Sequence, residues 1–135
     1  MKKRMLALAM IFILVLTSTV FAYAEVEPRA TNIVYFSTDR ISRTSASATV
    51  DVTFSTFVDR YNVTIYLQKK VENRWVSDVS NPEYIFTHNG SNEFDFTFNH
   101  IYTNLEASTN YRLKCVSTDY VGANNYTATT YSDQF

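Results

Sequence analysis

Two histidines and one cysteine are the side chains of this chain best suited to acid–base or nucleophilic chemistry. His88 and His100 lie 12 residues apart, and neither has further ligands at the spacing of a zinc site. The chain has only two glycines and no Gly-x-Ser-x-Gly sequence, so it lacks the nucleophile elbow of one large hydrolase class. We therefore expect no catalytic residue, no cofactor and no enzymatic activity.

Cys115 is the only cysteine, so it can form no disulfide bond within the chain. It shares its parity with Tyr111 and Leu113, whereas Arg112 and Lys114 have the opposite parity. In a strand this alternation turns Cys115 inward, where a thiol behaves as a small apolar side chain. The alternative is an exposed thiol that joins two chains.

Oxygen-bearing side chains are concentrated near the end of the chain, at Asp119, Asn124 and Asn125. They are chemically suitable for calcium, but their spacing matches no EF-hand loop. Asp and Asn are also the residues that turns favour. The sequence therefore predicts a turn at this position and no metal site.

Aromatic rings are the remaining candidates for a functional surface, because the chain has ten Tyr, ten Phe and one Trp. Exposed Tyr and Trp stack on sugar rings or anchor a protein partner. The alternative is that such rings only cover one face of a sheet as cross-strand pairs. The candidate surface residues are Tyr66, Trp75, Tyr120, Tyr126 and Tyr131.

The elements that must position these side chains are β-strands. Apolar and polar residues alternate over residues 48 to 55, 62 to 68 and 94 to 99, and a period of two is typical of half-buried strands. No segment sustains the spacing of an amphipathic helix after residue 24. The pattern predicts an all-β fold of seven or eight short antiparallel strands, spaced as in a β-sandwich.

Turn residues divide these strands. Residues 72 to 74 can reverse the chain, which predicts a hairpin with Trp75 just after its tip. Asn89-Gly90 is the strongest short hairpin signal, since both residues tolerate positive φ angles. Residues 121 to 124 separate the last two strands.

One local motif resembles a known family. The run Leu105-Glu-Ala-Ser-Thr109-Asn-Tyr111 is similar to the Leu-x-Pro-Gly-Thr-x-Tyr run of fibronectin type III domains, with Ala107-Ser108 at the Pro-Gly positions. The resemblance implies an immunoglobulin-like β-sandwich over about residues 32 to 135. It also implies structural roles for Leu105 and Tyr111, whose ring closes the core while its hydroxyl reaches the backbone upstream.

The first 24 residues have the organisation of a secretory signal peptide. Residues 2 to 4 are basic, residues 5 to 16 are continuously apolar, and residues 22 to 24 read Ala-Tyr-Ala. Twelve apolar residues are fewer than the roughly 20 that span a bilayer. We expect cleavage after residue 24, a short leader over residues 25 to 31 and an extracellular protein, free of the membrane. The alternative is an uncleaved anchor.

The whole chain also looks like small secreted proteins of Gram-positive bacteria (Firmicutes) whose function is uncharacterised. The similarity lies in the signal peptide, residues 27 to 30, the strand 63 to 70 with Trp75 after it, and residues 110 to 113 leading to 125 to 129. This resemblance supports secretion and an all-β fold and carries over no site residue.

Charge narrows the remaining function classes. Without residues 1 to 24 the chain has nine basic and 13 acidic side chains, a net charge of −4, so no overall basic footprint for nucleic acid remains. We expect a non-catalytic binding module for a cell-surface polysaccharide or a protein. The alternative is a structural protein that self-associates through an exposed edge strand.

Overall fold

The computed structural model describes residues 32 to 135, apart from the side chain of Ser55. The predicted signal peptide (residues 1 to 24) and leader (25 to 31) lie outside the described residues. Eight strands and one turn of 3-10 helix, η1 (Pro82–Tyr84), follow one another along the chain. The strands are β1 (Asn32–Ser42), β2 (Ser45–Val58), β3 (Arg60–Val71), β4 (Arg74–Ser77), β5 (Ile85–Gly90), β6 (Glu93–Tyr102), β7 (Tyr111–Val121) and β8 (Asn124–Tyr131).

The strands form two antiparallel sheets, which confirms the predicted all-β, sandwich-like architecture. The three-stranded sheet has the order β1-β2-β6. The five-stranded sheet has the order β4-β3-β7-β8. Its fifth strand, β5, pairs with the first half of β3, whereas β4 pairs with the last residues of β3. Within residues 32 to 135 no helix is long and apolar enough to span a membrane.

The core lies between the two sheets and follows the alternation of the sequence. In β3, residues at odd positions from Tyr61 to Leu67 are buried, whereas the even positions between them are partly exposed. The same rule holds along β7, where every odd residue from Tyr111 to Asp119 is buried. Each apolar side chain moved out of water in this way contributes about 1.5 to 3 kcal/mol to folding. The alternation therefore fixes which side chains remain on the outer faces.

Two predicted turns are confirmed. Glu72 and Asn73 both have positive φ angles, 46° and 65°, as a two-residue hairpin turn requires, and Trp75 follows this turn in β4. Gly122 has a φ of 58° in the turn between β7 and β8.

The predicted Asn89-Gly90 hairpin is wrong. Both residues belong to β5, and the chain turns at Ser91 and Asn92, where Asn92 has a φ of 56°. Strands β5 and β6 do not pair with each other, because β5 joins β3 and β6 joins β2 in the opposite sheet. Gly90 lies over the Tyr61 ring, where a Cβ would overlap the ring atoms. This glycine therefore allows close packing between β3 and β5, and it is not needed for a positive φ angle.

Candidate binding face

The outer surface of the five-stranded sheet collects aromatic and basic side chains, and we call it the aromatic–basic face. Its side chains come from β3, β4, β7 and β8, on the strand positions that alternate away from the core. The members of the aromatic–basic face are Arg60, Tyr66, Lys70, Trp75, Arg112, Lys114, Tyr120 and Tyr131.

Strand register brings these side chains together from distant parts of the sequence. Tyr66 of β3 is paired with Lys114 of β7, and Lys114 is paired with Tyr131 of β8. Two outward pairs further along, Trp75 of β4 is paired with Lys70 of β3. Paired residues project to the same side of a sheet, so five residues from four strands converge at one end of this face.

Arg112 is the centre of this group. Its guanidinium carbon lies 4.5 Å from the centre of the Trp75 ring and 4.1 Å from the centre of the Tyr131 ring. Its Nε donates a hydrogen bond of 2.9 Å to Oε1 of Gln68, and Gln68 in turn donates to Ser77. Contacts between a cation and an aromatic face are attractive, so Arg112 holds the two rings on either side of a fixed guanidinium.

Two further cations lie over rings of the same group. The Nζ atom of Lys114 is 5.5 Å from the centre of the Tyr66 ring, and that of Lys70 is 5.8 Å from the Trp75 ring. At the opposite end of the sheet, Arg60 lies 4.2 Å from the Tyr120 ring. The face thus presents basic groups towards both of its ends, each beside an aromatic ring.

Among residues 32 to 135, no acidic side chain forms an ion pair with these four basic groups. Of the described residues, the one ion pair within 4 Å joins Lys69 to Glu106, and neither of these belongs to the aromatic–basic face. The outward positions of β3, β4, β5, β7 and β8 contain no Asp or Glu. Four uncompensated positive charges therefore share one face of an acidic domain, where they favour an anionic partner.

The candidate surface residues fall into two groups. Tyr66, Trp75, Tyr120 and Tyr131 lie on the aromatic–basic face. Tyr126 does not: it is paired with the buried Asp119 and packs half-buried against the core.

Sequence reasoning missed the basic members of the face. Arg112 and Lys114 were assigned to the outward parity of their strand, but that parity alone does not place them beside Trp75 and Tyr131. The register between β3 and β7 supplies this information.

The Leu105 to Tyr111 segment forms a tyrosine corner between β6 and β7. Leu105 and Tyr111 are both buried, and the Tyr111 hydroxyl accepts a hydrogen bond of 2.9 Å from the backbone N–H of Glu106. Arg40 donates to the Thr109 carbonyl at 2.6 Å and lies over the Tyr111 ring. The corner connects the two sheets. Its contacts fix the start of β7 and therefore the position of Arg112, the second residue of that strand.

Replacing Tyr111 by Phe is expected to lower the free energy of unfolding by about 1 kcal/mol, because the Glu106 N–H loses its acceptor. Urea titration of both proteins measures this difference. Tyr120→Phe is the matched control, since no described residue is hydrogen-bonded to the Tyr120 hydroxyl, and it should change stability little. Equal effects of the two substitutions would show that the hydrogen bond to the Tyr111 hydroxyl does not stabilise the fold.

Cys115 is fully buried in the core, the orientation that the alternation predicts. Burial in apolar surroundings raises the pKa of its thiol to about 11, which leaves almost no thiolate at neutral pH. The reactive species of cysteine is the thiolate. The position therefore disfavours both nucleophilic chemistry and a bond to another chain.

The two histidines lie in an aromatic column between β5 and β6. His88 stacks on Phe96 with ring centres 4.4 Å apart, and His100 contacts Tyr102 edge-on at 4.7 Å. Between residues 32 and 135, no group of three or more His, Cys, Asp or Glu side chains is placed to hold a metal ion. Both imidazole rings therefore pack against neighbouring aromatic rings.

No protein-family profile matches the chain, and no curated protein sequence shows significant similarity to it. Its function therefore has to be argued from the fold and from the surface that the fold builds.

Proposed function

We propose that the chain is a secreted, non-catalytic binding domain, a fibronectin type III-like member of the immunoglobulin-like β-sandwiches. We propose further that its aromatic–basic face binds an anionic polysaccharide of the cell surface. The observation that carries the proposal is the convergence of Trp75, Arg112 and Tyr131, with Tyr66 and Lys114 beside them, on an outer sheet face without acidic residues.

Two structural features support the fold class. The first is the hydrogen bond from the Glu106 N–H to the Tyr111 hydroxyl, the contact that defines a tyrosine corner in this class. The second is the pairing of β1, β2 and β6 in one sheet against the larger sheet that contains β3, β7 and β8. The corner lies on the connection between β6 and β7, where the chain passes from the first sheet to the second.

The chemistry of the face suits a charged sugar polymer. Tyr and Trp rings offer flat apolar surfaces that stack on sugar rings. Arg and Lys provide donors for phosphate or carboxylate groups, and a planar guanidinium can bind such a group through two hydrogen bonds. Neighbouring strands are about 4.8 Å apart, so the group of side chains from β4 to β8 is about 14 Å wide. That width suits several units of a polymer.

The distribution of charge disfavours a nucleic acid as the partner. Residues 32 to 135 contain eight basic and 11 acidic side chains, and the positive groups are confined to one face. A domain that binds nucleic acid through its phosphates is normally basic overall. A secreted domain also meets cell-surface polysaccharides directly, and the predicted signal peptide supports secretion of this chain.

The proposal is tested by co-sedimentation of the purified protein with Gram-positive cell walls, before and after their accessory polysaccharide is stripped. Saturable sedimentation that disappears after stripping is the expected result. Lys114→Glu should weaken binding at least tenfold, about 1.4 kcal/mol, because it reverses a charge at the centre of the face. Arg43→Glu, a charge reversal in the turn between β1 and β2, is the matched control and should bind like the unmodified protein.

Three results would contradict the proposal. One is a protein that stays in the supernatant at low salt, and another is unchanged sedimentation after the polysaccharide is removed. The third is competition by a single-stranded oligonucleotide as effective as competition by the isolated polysaccharide, which would indicate a general polyanion site.

A further inference from the structure

The outer surface of the three-stranded sheet is chemically opposite to the aromatic–basic face, and we call it the acidic–apolar face. Its outward positions contain no Lys or Arg. Tyr35 in the edge strand β1 is 65% exposed, and Ile101 near one end of the face is 59% exposed. The members that matter here are Ile33, Tyr35, Asp39, Ile41, Asp51, Asp95 and Ile101.

The charges of the acidic–apolar face are also uncompensated. Asp51 accepts a hydrogen bond of 2.7 Å from the Thr97 hydroxyl, but no described basic side chain lies within 4 Å of Asp39, Asp51 or Asp95. Within the described part of the chain, three negative charges on one side of the sandwich and four positive charges on the other are therefore without an ion-pair partner.

We infer that the aromatic–basic face of one copy of this chain docks on the acidic–apolar face of a second copy. Two like faces would repel each other, whereas unlike faces bring charges of opposite sign together. The apolar groups are complementary as well, since exposed isoleucines and Tyr35 would meet the rings of Trp75 and Tyr131. The inference goes beyond the proposed function and does not depend on it.

The geometry of such a contact leads to head-to-tail chains. The two faces lie on opposite sides of each molecule, so every docked copy leaves one free face at each end of the assembly. A heterologous contact that does not close into a ring grows into an open chain. This distinguishes the arrangement from a symmetric dimer.

The size of the smaller face sets the strength of the contact. Three strands at about 4.8 Å spacing, each about 27 Å long over its outward residues, give roughly 400 Å² on each copy. A total of about 800 Å² lies below the range of stable interfaces. Association should therefore be weak, visible at high protein concentration, and strongly reduced by salt, because the attraction comes from exposed charges.

Light scattering and sedimentation equilibrium of the purified protein test the inference without any polysaccharide. The average mass should rise with protein concentration at about 20 mM salt and return to that of a monomer at about 500 mM, where the Debye length is short. Asp51→Asn with Asp95→Asn weakens the acidic–apolar face. Lys70→Gln with Lys114→Gln weakens the aromatic–basic face. Each of these two double variants should remain a monomer under conditions in which the unmodified protein associates.

A mixture of the two double variants is the sharpest test. Each variant keeps one intact face, so the mixture should form one-to-one heterodimers and grow no further. A monomer at every concentration and salt would overturn the inference. Association that both double variants retain would overturn it as well and would indicate pairing through edge strands.

The same variants separate this inference from the proposed function. The Asp51→Asn, Asp95→Asn variant keeps the aromatic–basic face, so it should sediment with cell walls although it no longer self-associates. If the protein binds cell walls but is always monomeric, the proposed function stands and the inferred self-association is wrong. If the protein self-associates but does not bind cell walls, the inferred self-association stands and the proposed function is wrong.

Discussion

Gly90→Ala is expected to lower the free energy of unfolding by about 1 to 3 kcal/mol, the usual cost of overpacking a core. A Cβ at this position would overlap the ring of Tyr61. That ring is buried, packs on Phe54 with centres 4.8 Å apart, and donates its hydroxyl proton to Oε2 of Glu93 at 2.5 Å. The ring cannot move aside without losing these contacts, so the clash has to be relieved by shifting β5.

The cause of the loss, rather than its sign, separates two roles of glycine. In a strand, replacing Gly by Ala normally stabilises by about 0.5 to 1 kcal/mol, because the unfolded chain loses freedom. Gly122 is the comparison: it has a φ of 58° and open space around its missing Cβ, so Gly122→Ala should cost about 1 to 2 kcal/mol through backbone strain.

Urea titration of both glycine variants, alone and combined with Tyr61→Leu, measures these effects. Removing the Tyr61 ring should abolish the penalty at Gly90 and leave the penalty at Gly122 unchanged, since coupling is confined to residues in contact. A Gly90→Ala protein as stable as the unmodified one would show that the Tyr61 ring relaxes freely.

The hairpin predicted at Asn89-Gly90 shows why local signals were not sufficient. The dipeptide has the composition of a tight turn, but β5 pairs with Tyr61 to Tyr66 of β3, and that pairing uses Asn89 and Gly90 as strand residues. The turn moved two residues on, to Asn92, which also tolerates a positive φ. Packing against Tyr61 determined the outcome, and no local pattern describes it.

Elsewhere, the alternation of apolar and polar residues and the short turn signals were sufficient to predict the local structure. The orientation of Cys115 follows from alternation alone, and the position of Trp75 follows from the turn at Glu72 and Asn73. The same reasoning turns Tyr126 towards the core. A tight turn at Gly122 sets Asp119 opposite Tyr126, and Asp119 shares the inward parity of Cys115.

The candidate binding face could not be predicted from alternation and turns, because it depends on the register between distant strands. Trp75, Arg112 and Tyr131 belong to β4, β7 and β8, and the contact between the first two requires the pairing of β3 with β7. Gln68 is paired with Arg112 across 44 residues of sequence. Such a long-range register is set by the fit of two hydrophobic faces, so the sequence predicted exposed rings but not their convergence around one arginine.

Asp119 places a carboxyl group inside the core. Its side chain is fully buried, and Oδ1 accepts a hydrogen bond of 3.0 Å from the Ser117 hydroxyl. Ser117 in turn accepts one of 2.9 Å from the amide of Asn32. Two buried oxygens, Oδ2 of Asp119 and Oδ1 of Asn32, have no hydrogen-bond partner among residues 32 to 135. The cluster therefore has more acceptors than donors, and a proton on Asp119 would supply a missing donor.

Burial raises the pKa of Asp119 above its ordinary value, although polar interactions with Ser117 and Asn32 oppose the shift. Between the ordinary pKa, about 3.9, and the raised pKa of the folded protein, the folded state binds more protons than the unfolded state. The free energy of unfolding must then fall as the pH rises through this window. The stability that the protonated carboxyl provides is complete below about pH 4 and is lost above the folded pKa.

Asp119→Asn is expected to stabilise the protein at pH 7 by about 1 to 3 kcal/mol, the usual penalty for an unsatisfied buried polar group. The amide has nearly the shape of the carboxyl group, carries no charge and donates hydrogen bonds at any pH. The gain should shrink as the pH is lowered towards 4, where the carboxyl group of the unmodified protein is itself protonated. Urea titrations at intervals between pH 4 and 8 measure this dependence.

Asp39→Asn is the matched control, because Asp39 is exposed at the edge of the three-stranded sheet and its loss should change stability little at any of these pH values. A variant at position 119 that is less stable than the unmodified protein at pH 7 would contradict the prediction. That result would mean that the carboxylate is compensated in the folded protein, as it would be by a bound cation between Asp119 and Asn32, and the same titration with added calcium would then separate a bound ion from a buried proton.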